Sequence, residues 1–302
     1  MGEFLDELAT VARGWRWTRR PLTPRSAERF APEPEDSVFP TAWTRTPAAR
    51  AVRNAIHKYA LKPLIWNETA PKVSGLDNLE RVEGPVMFFS NHSSHLDASL
   101  ILCSLPPEWR EKTAVGAAAD YFFDAWWKSA GTSLVYNAFP IERSSRRSVT
   151  DAARELVGQG YSLVVFPEGT RSPDGWMQRF RLGASRLCID LQIPAVPIGI
   201  RGAYSAMPRG STWPLRGRLP VSVRFGTAIV PEPNEDHRSF SKRLTQGVSS
   251  LIDEDRTTWW EAMQRAVRGE TRPASGPAGP KWRRVWEASR PIAARRPRRA
   301  WR

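Results

Sequence analysis

Two short apolar runs that end directly in polar blocks constrain this chain more than any other feature. Residues 85–90 (PVMFFS) pass straight into NHSSHLD, and residues 162–166 (SLVVF) pass into PEGTRS. Runs of this length, rich in Val, Leu and Phe, read as buried strands rather than helices. Further runs at 113–119, 135–141, 195–200 and 221–225 also read as strands. Between them lie helix-period segments. These are residues 97–105; Val149, Ala152, Ala153, Leu156 and Val157, stopped by Gly158 and Gly160; Ala184, Leu187, Cys188 and Leu191; and Phe240, Leu244, Val248 and Leu251. Such alternation predicts an α/β domain with a mixed, mostly parallel sheet flanked by helices. Ahead of it, Ala51, Ile56, Ala60, Leu61 and Ile65 give an N-terminal amphipathic helix with Arg50, Arg53, Lys58 and Lys62 beside its apolar face. A basic amphipathic helix either packs on the domain it precedes or lies on a membrane surface.

Charge divides the 302 residues further. Lys and Arg outnumber Asp and Glu by 45 to 31, yet the excess is concentrated: residues 271–302 hold ten basic residues against Glu287 alone. Residues 1–46 are therefore read as an N-terminal extension, 47–268 as the folded domain, and 269–302 as a basic Arg/Pro/Trp tail, disordered in isolation or membrane-associated. The only cysteines, Cys103 and Cys188, stand in apolar stretches. That excludes a disulfide framework or a cysteine zinc site, and fits a reducing cytoplasm. No metal site is evident. No run approaches the ~18–20 apolar residues a membrane-spanning helix needs, and the acidic start (Glu3, Asp6, Glu7) does not read as a secretory signal.

In the first polar block His92 stands five residues before Asp97. A histidine can take a proton from a hydroxyl when a carboxylate fixes its tautomer and supports its charged form. The plain alternative is a capping Asp97 with two polar loop histidines, His92 and His95. The other block follows a strand's carboxyl end, where open α/β sheets place ligands. There Gly169 permits a turn that exposes amide N–H groups. Thr170 supplies a hydroxyl, and Arg171 a two-pronged donor for phosphate oxygens. A surface turn with an Arg–Glu pair is the bland reading.

Together these blocks closely resemble the glycerolipid acyltransferase family, which includes bacterial, phosphatidic-acid-forming 1-acyl-glycerol-3-phosphate acyltransferases. Its N-H-x-x-x-x-D block is matched by Asn91 to Asp97, and its second block by Phe139-Pro140-Ile141-Glu142-Arg143. Its F-P-E-G-T-R-S block is matched by Phe166 to Ser172, and its V-P-[VI]-x-I strand by Val196 to Ile200. Phe180-Arg181-Leu182-Gly183-Ala184 resembles its F-[KR]-x-G-A stretch, and the resemblance covers about residues 50–230. It implies that His92 is the general base and Asp97 its orienting partner. It further implies that Arg143 and Arg171 hold the acceptor phosphate, that Glu168 and Gly169 shape the glycerol pocket beside Thr170, and that Pro197 lies on a strand lining the site. The implied activity is O-acyl transfer, without an acyl-enzyme, from acyl-CoA or acyl carrier protein to lysophosphatidic acid or a related lysolipid, giving phosphatidic acid. The donor is a substrate, and no bound cofactor is implied. The lack of a G-x-S-x-G nucleophile elbow agrees. Two departures lie within the blocks, and a third is that many members start with transmembrane helices where no such run is read here. His95 adds a second imidazole to the first block, and Glu142 stands where many relatives have Asp before Arg. Glycerol 3-phosphate as acceptor, thioester hydrolysis and a non-catalytic binding protein are the rival readings.

A bilayer acceptor calls for a protein held peripherally on the cytoplasmic side of the membrane. The Arg and Trp of the tail suit an anionic surface, where each basic residue contributes roughly 1 kcal/mol and Trp prefers the headgroup region. The pairs Phe122-Phe123 and Trp126-Trp127 read either as core or as lipid-facing. A basic tail could equally neutralise nucleic acid, but it carries no recognition-helix or RNA-binding signature. The membrane is the preferred partner.

Overall fold

The two apolar runs become adjacent parallel strands at the middle of a seven-stranded sheet. They belong to a computed structural model that describes residues 41–118, 126–141 and 146–292. In chain order the strands are β1 (Thr69–Ser74), β2 (Met87–Ser90), β3 (Thr113–Ala118), β4 (Phe139–Ile141), β5 (Ser162–Val165), β6 (Ala195–Arg201) and β7 (Leu219–Phe225). Their spatial order is β1-β7-β6-β2-β5-β3-β4. All pairs are parallel except β6 with β7. The mixed, mostly parallel sheet expected from the sequence is thus present.

Central strands are uniformly apolar because both sheet faces are covered. On one face Phe88, Val164, Val196 and Ile198 pack with Leu100 and Ile101 of α3 (Leu96–Ser104) and Ile65 of α2 (Lys62–Glu68). On the other, Met87, Phe89, Leu163 and Val165 meet three helices. These are α5 (Arg146–Gly158) through Ala153 and Leu156, α6 (Leu182–Leu191) through Leu187 and Cys188, and α7 (His237–Arg256) through Phe240 and Leu244. Phe88 and Phe89 are fully buried, and truncating either costs about 3–5 kcal/mol. In the β2–β5 register Phe89 lies opposite Val165. Both polar blocks therefore leave the same end of the sheet.

The amphipathic helix packs on the domain. It begins as α1 (Pro47–Ile56), passes through a π turn at His57–Leu61 and continues as α2. Pro63 has no N–H to return to Tyr59, and the ladder slips so that Lys62 bonds the His57 carbonyl. Arg53 and His57 are buried and bond the carbonyls of Thr44 and Val135 at 3.0 and 2.6 Å.

Three expectations change. The strand expected at 135–141 is shortened at its start: α4 (Trp126–Tyr136) runs through Tyr136, Asn137 reverses the chain at φ 47°, and β4 keeps only Phe139–Ile141. Asn is among the few side chains that accept that conformation readily. Strand β1 carried no alternating apolar signal. It is an edge strand paired only with β7, and most of its residues are partly exposed. The expected boundary at 268 does not end the folded part, and the tail, read as disordered in isolation or membrane-associated, carries structure as far as residue 292. Ala274 is buried with Met177, Phe180, Val248 and Ile252, and Lys281–Ser289 forms a further helix, α9, which follows α8 (Trp259–Val267). Most of the 1–46 extension, Phe122, Phe123, Arg143 and residues 293–302 lie outside the described residues, as do the side chains of Trp126 and Trp127.

Candidate active site

Asn91, the first residue beyond β2, fixes the start of the loop. Its side-chain amide donates to the Ile200 carbonyl and accepts the Ile200 N–H, both at 2.9 Å. A side chain thus continues the β2–β6 pairing, and β6 sets the direction in which the chain leaves the sheet.

His92 is gripped at both backbone atoms by the other polar block. Its N–H donates to Glu168 Oε1 at 2.8 Å, and its carbonyl accepts the Ser172 N–H at 2.8 Å. Its ring stacks on Phe166 at 4.1 Å with 22° between planes. Nδ1 faces Asp97 Oδ2 at 2.9 Å, so the carboxylate places the neutral ring's proton on Nδ1 and leaves Nε2 as the acceptor. The His92 side chain is 20% exposed, while that of Asp97 is fully buried.

Asp97 does not cap the helix in the simple sense. It lies in the first turn of α3, and its Oδ2 also accepts the N–H groups of Ser93 at 2.7 Å and Ser94 at 2.8 Å. Oδ1 is buried and has no hydrogen-bond partner among the described residues. One oxygen therefore organises the loop and the imidazole together. His95 occupies the N-cap position of α3, and burial, with the charge of Arg171 next, holds its pKa below the ordinary value. Of the two imidazoles, the His92 ring is the one that meets the Asp97 carboxylate.

Glu168 is buried, and its second oxygen accepts the Gln178 N–H at 3.1 Å. Burial pushes its pKa up to about 8 against the pull of these two amide donors. Gly169 turns at φ 73°, where a side chain is strained, and a Cβ there would lie 2.9 Å from Arg181 Nε. Arg181 had no role assigned from sequence; the structure sets its guanidinium beside the Gly169-Thr170-Arg171 turn. Thr170 and Arg171 are half-buried, and Arg209 reaches the Arg171 carbonyl at 3.4 Å.

The structure thus brings together His92, Asp97, Glu168, Gly169, Thr170 and Arg171. Pro197 has a different place. It sits in β6 opposite Phe89, and its ring packs on Gly226 and on Gly247 of α7. These are packing contacts that join the sheet to a helix. The two cysteines are buried, with thiol pKa values pushed up by burial to about 11 for Cys103 and about 12 for Cys188. Thiols held protonated in this way are poor nucleophiles. Among the described residues no three His, Cys, Asp or Glu side chains gather as a metal site.

The strand ends thus present a carboxylate-oriented histidine beside a Gly-Thr-Arg turn. Residues 70–201 match the family model described as Acyltransferase. Over 142 residues the chain is 34% identical to a chloroplastic 1-acyl-sn-glycerol-3-phosphate acyltransferase of Brassica napus, a match covering 46% of this chain and 39% of that protein. A 1-acyl-sn-glycerol-3-phosphate acyltransferase of Chlamydomonas reinhardtii is 30% identical over 184 residues, covering 60% of this chain and 52% of that one. The chain thus spans about half or less of the length of these curated relatives. The crystal structure of the 1-acyl-sn-glycerophosphate acyltransferase from Thermotoga maritima superposes with a TM-score of 0.54 at 22% identity, covering 68% of this chain and 81% of that one. That likeness speaks for the fold.

Proposed function

We propose that this chain transfers a fatty acyl group from an acyl thioester to the free hydroxyl of 1-acyl-glycerol 3-phosphate, giving phosphatidic acid. The observation that carries the reading is the 2.9 Å contact between His92 Nδ1 and Asp97 Oδ2, which leaves Nε2 turned to accept a proton. As the acceptor hydroxyl attacks the thioester carbonyl, its proton passes to His92 Nε2, and the buried Asp97 carboxylate supports the imidazolium. A C–O bond forms, the C–S bond breaks, and the proton moves from His92 to the departing sulfur. No covalent enzyme intermediate is needed. Arg171, with Arg143 and the neighbouring Arg181, supplies positive charge for the acceptor phosphate. Coenzyme A and acyl carrier protein both supply suitable thioesters.

The substrate and product are bilayer lipids, so the same reading puts the enzyme peripherally on the cytoplasmic face of a membrane. No helix among the described residues is long and apolar enough to cross one. The test is thiol release from palmitoyl-CoA with and without 1-acyl-glycerol 3-phosphate, with the lipid product identified. Acceptor-dependent release with phosphatidic acid formed is expected. Release at full rate without acceptor would show a thioesterase, and release with glycerol 3-phosphate alone would move the activity one acylation earlier.

A further inference from the structure

The helix α9 has two faces with different chemistry. Its inner face is docked by polar contacts. Arg284 Nε donates to Asp174 Oδ2 at 2.6 Å, its Nη1 and Nη2 reach the carbonyls of Pro277 and Ser275 at 2.9 Å each, and the Trp176 indole N–H donates to the Arg284 carbonyl at 2.9 Å. Ala288 closes on Gly175, where φ is 80° and an added Cβ would stand 2.7 Å from the Ala288 Cβ. Around this contact, Asn91 and Ser93 of the first block and Glu287, Ala288 and Arg290 line one small pocket of about 80 Å³.

Asp174 also ties the helix to the catalytic histidine. Its Oδ1 accepts the Ser172 hydroxyl at 3.0 Å, and the Ser172 N–H holds the His92 carbonyl at 2.8 Å. The helix is therefore anchored to the segment that positions His92.

The outer face is unlike the inner one. Trp282 and Trp286, four residues apart and so on one side of the helix, are 71% and 56% exposed. Arg290 lies over the Trp286 ring at 5.2 Å, and Lys281 is exposed. The only acid of the segment, Glu287, pairs with Arg283 at 3.0 Å. What this face offers is two large indoles flanked by uncompensated positive charge. Indoles prefer the headgroup region, and basic residues are drawn to an anionic surface.

We infer that the Trp282–Trp286 face of α9 is where the protein meets an anionic bilayer surface, with the inner face of the same helix fastened to the loop beside His92. Charge sets the choice of occupant: the segment from 271 onward is strongly basic. The inference deepens the membrane-lipid reading above and names the surface it needs.

The test uses the full chain with no acyl donor or acceptor present, so its outcome does not depend on the enzymatic reading. Wild type, Trp282→Ser/Trp286→Ser and the control Trp213→Ser are sedimented with vesicles of phosphatidylcholine containing about 30% phosphatidylglycerol. Wild type is expected to bind, less so as salt rises. The double variant should partition about tenfold or more weakly with an unchanged melting temperature, and the control should match wild type. Lys281→Glu/Arg290→Glu should weaken binding in the same direction. Equal binding by wild type and the double variant, an equal loss in the control, or no binding of wild type overturns the inference. That holds whether the face then proves to take nucleic acid or a second copy of the chain. Acyl transfer to micellar acceptor by a chain that ignores vesicles would reject this surface and leave the activity standing.

Discussion

The carboxyl group of Glu168 accepts the backbone N–H of His92 at 2.8 Å, joining two blocks that lie 76 residues apart in the chain. Its other oxygen takes the Gln178 N–H. Glu168 therefore holds the His92 loop from within the protein, and in the proposed mechanism it acts by positioning His92.

Substituting Glu168→Gln keeps one acceptor but turns an NH2 group toward an amide donor. We expect kcat to fall about 10–100-fold through misplacement of His92, with KM changing less. Steady-state thiol release by the variant checks this; a variant with wild-type kcat contradicts the positioning role.

The same residue sets a pH dependence of stability. Its folded pKa of about 8 lies above the ordinary 4.5, so the folded state keeps a proton that the unfolded chain releases across this interval. Stability from this group therefore falls as pH rises through that window. Between pH 6.5 and 8 the melting temperature of wild type should decline more steeply than that of Glu168→Gln. Parallel curves would show that the carboxyl is already ionised there.

Buried His57 works in the opposite direction. Burial lowers its pKa from 6.5 to about 4, so below 6.5 the unfolded chain takes up a proton that the folded protein refuses. Stability from this group is lost as pH falls from 6.5 to about 4. His57→Asn should flatten that acid limb in a melting-temperature profile, although it costs stability at neutral pH by losing the bond to the Val135 carbonyl.

Asn91 touches no reacting group in the scheme proposed here, yet removing its amide strands a buried N–H and a buried carbonyl of Ile200. Asn91→Ala should cost about 2 kcal/mol or more in urea unfolding. A loss below about 0.5 kcal/mol would mean that water takes over both bonds.

Arg284→Met removes the ion pair with Asp174 and two carbonyl contacts. Because the pair is partly exposed, we expect a loss of about 1–2 kcal/mol. Limited trypsin digestion should cut faster after Arg268 and Arg272 in the variant; unchanged cutting there would show that α9 stays docked by its other contacts.

How much could be read in advance follows from what each element is made of. Strands β2 and β5 are buried on both faces, so their apolar runs announced them, and the polar blocks behind them announced the site. The His92–Asp97 pairing was legible because five residues suffice to double the chain back at a helix start. Strand β1, the sequence TAPKVS at a sheet edge, has no such pattern. The docked tail was missed because polar anchors hold it, chiefly Arg284, Asp174 and Trp176, and such contacts leave no periodicity in sequence. Pro197 stands in a block that resembles the family's, and its ring packs β6 on α7. Arg181 could have been singled out, since its stretch was recognised, but only the structure puts its guanidinium against Gly169.

The central claim is that His92, oriented by Asp97, takes the acceptor's proton. The most direct measurement is acceptor-dependent thiol release from palmitoyl-CoA by wild type, His92→Ala and Asp97→Asn, each with its melting temperature. Both variants should lose about 10²-fold or more in kcat. His92→Ala should remain as folded as wild type. Substantial acceptor-dependent turnover by His92→Ala would contradict the account.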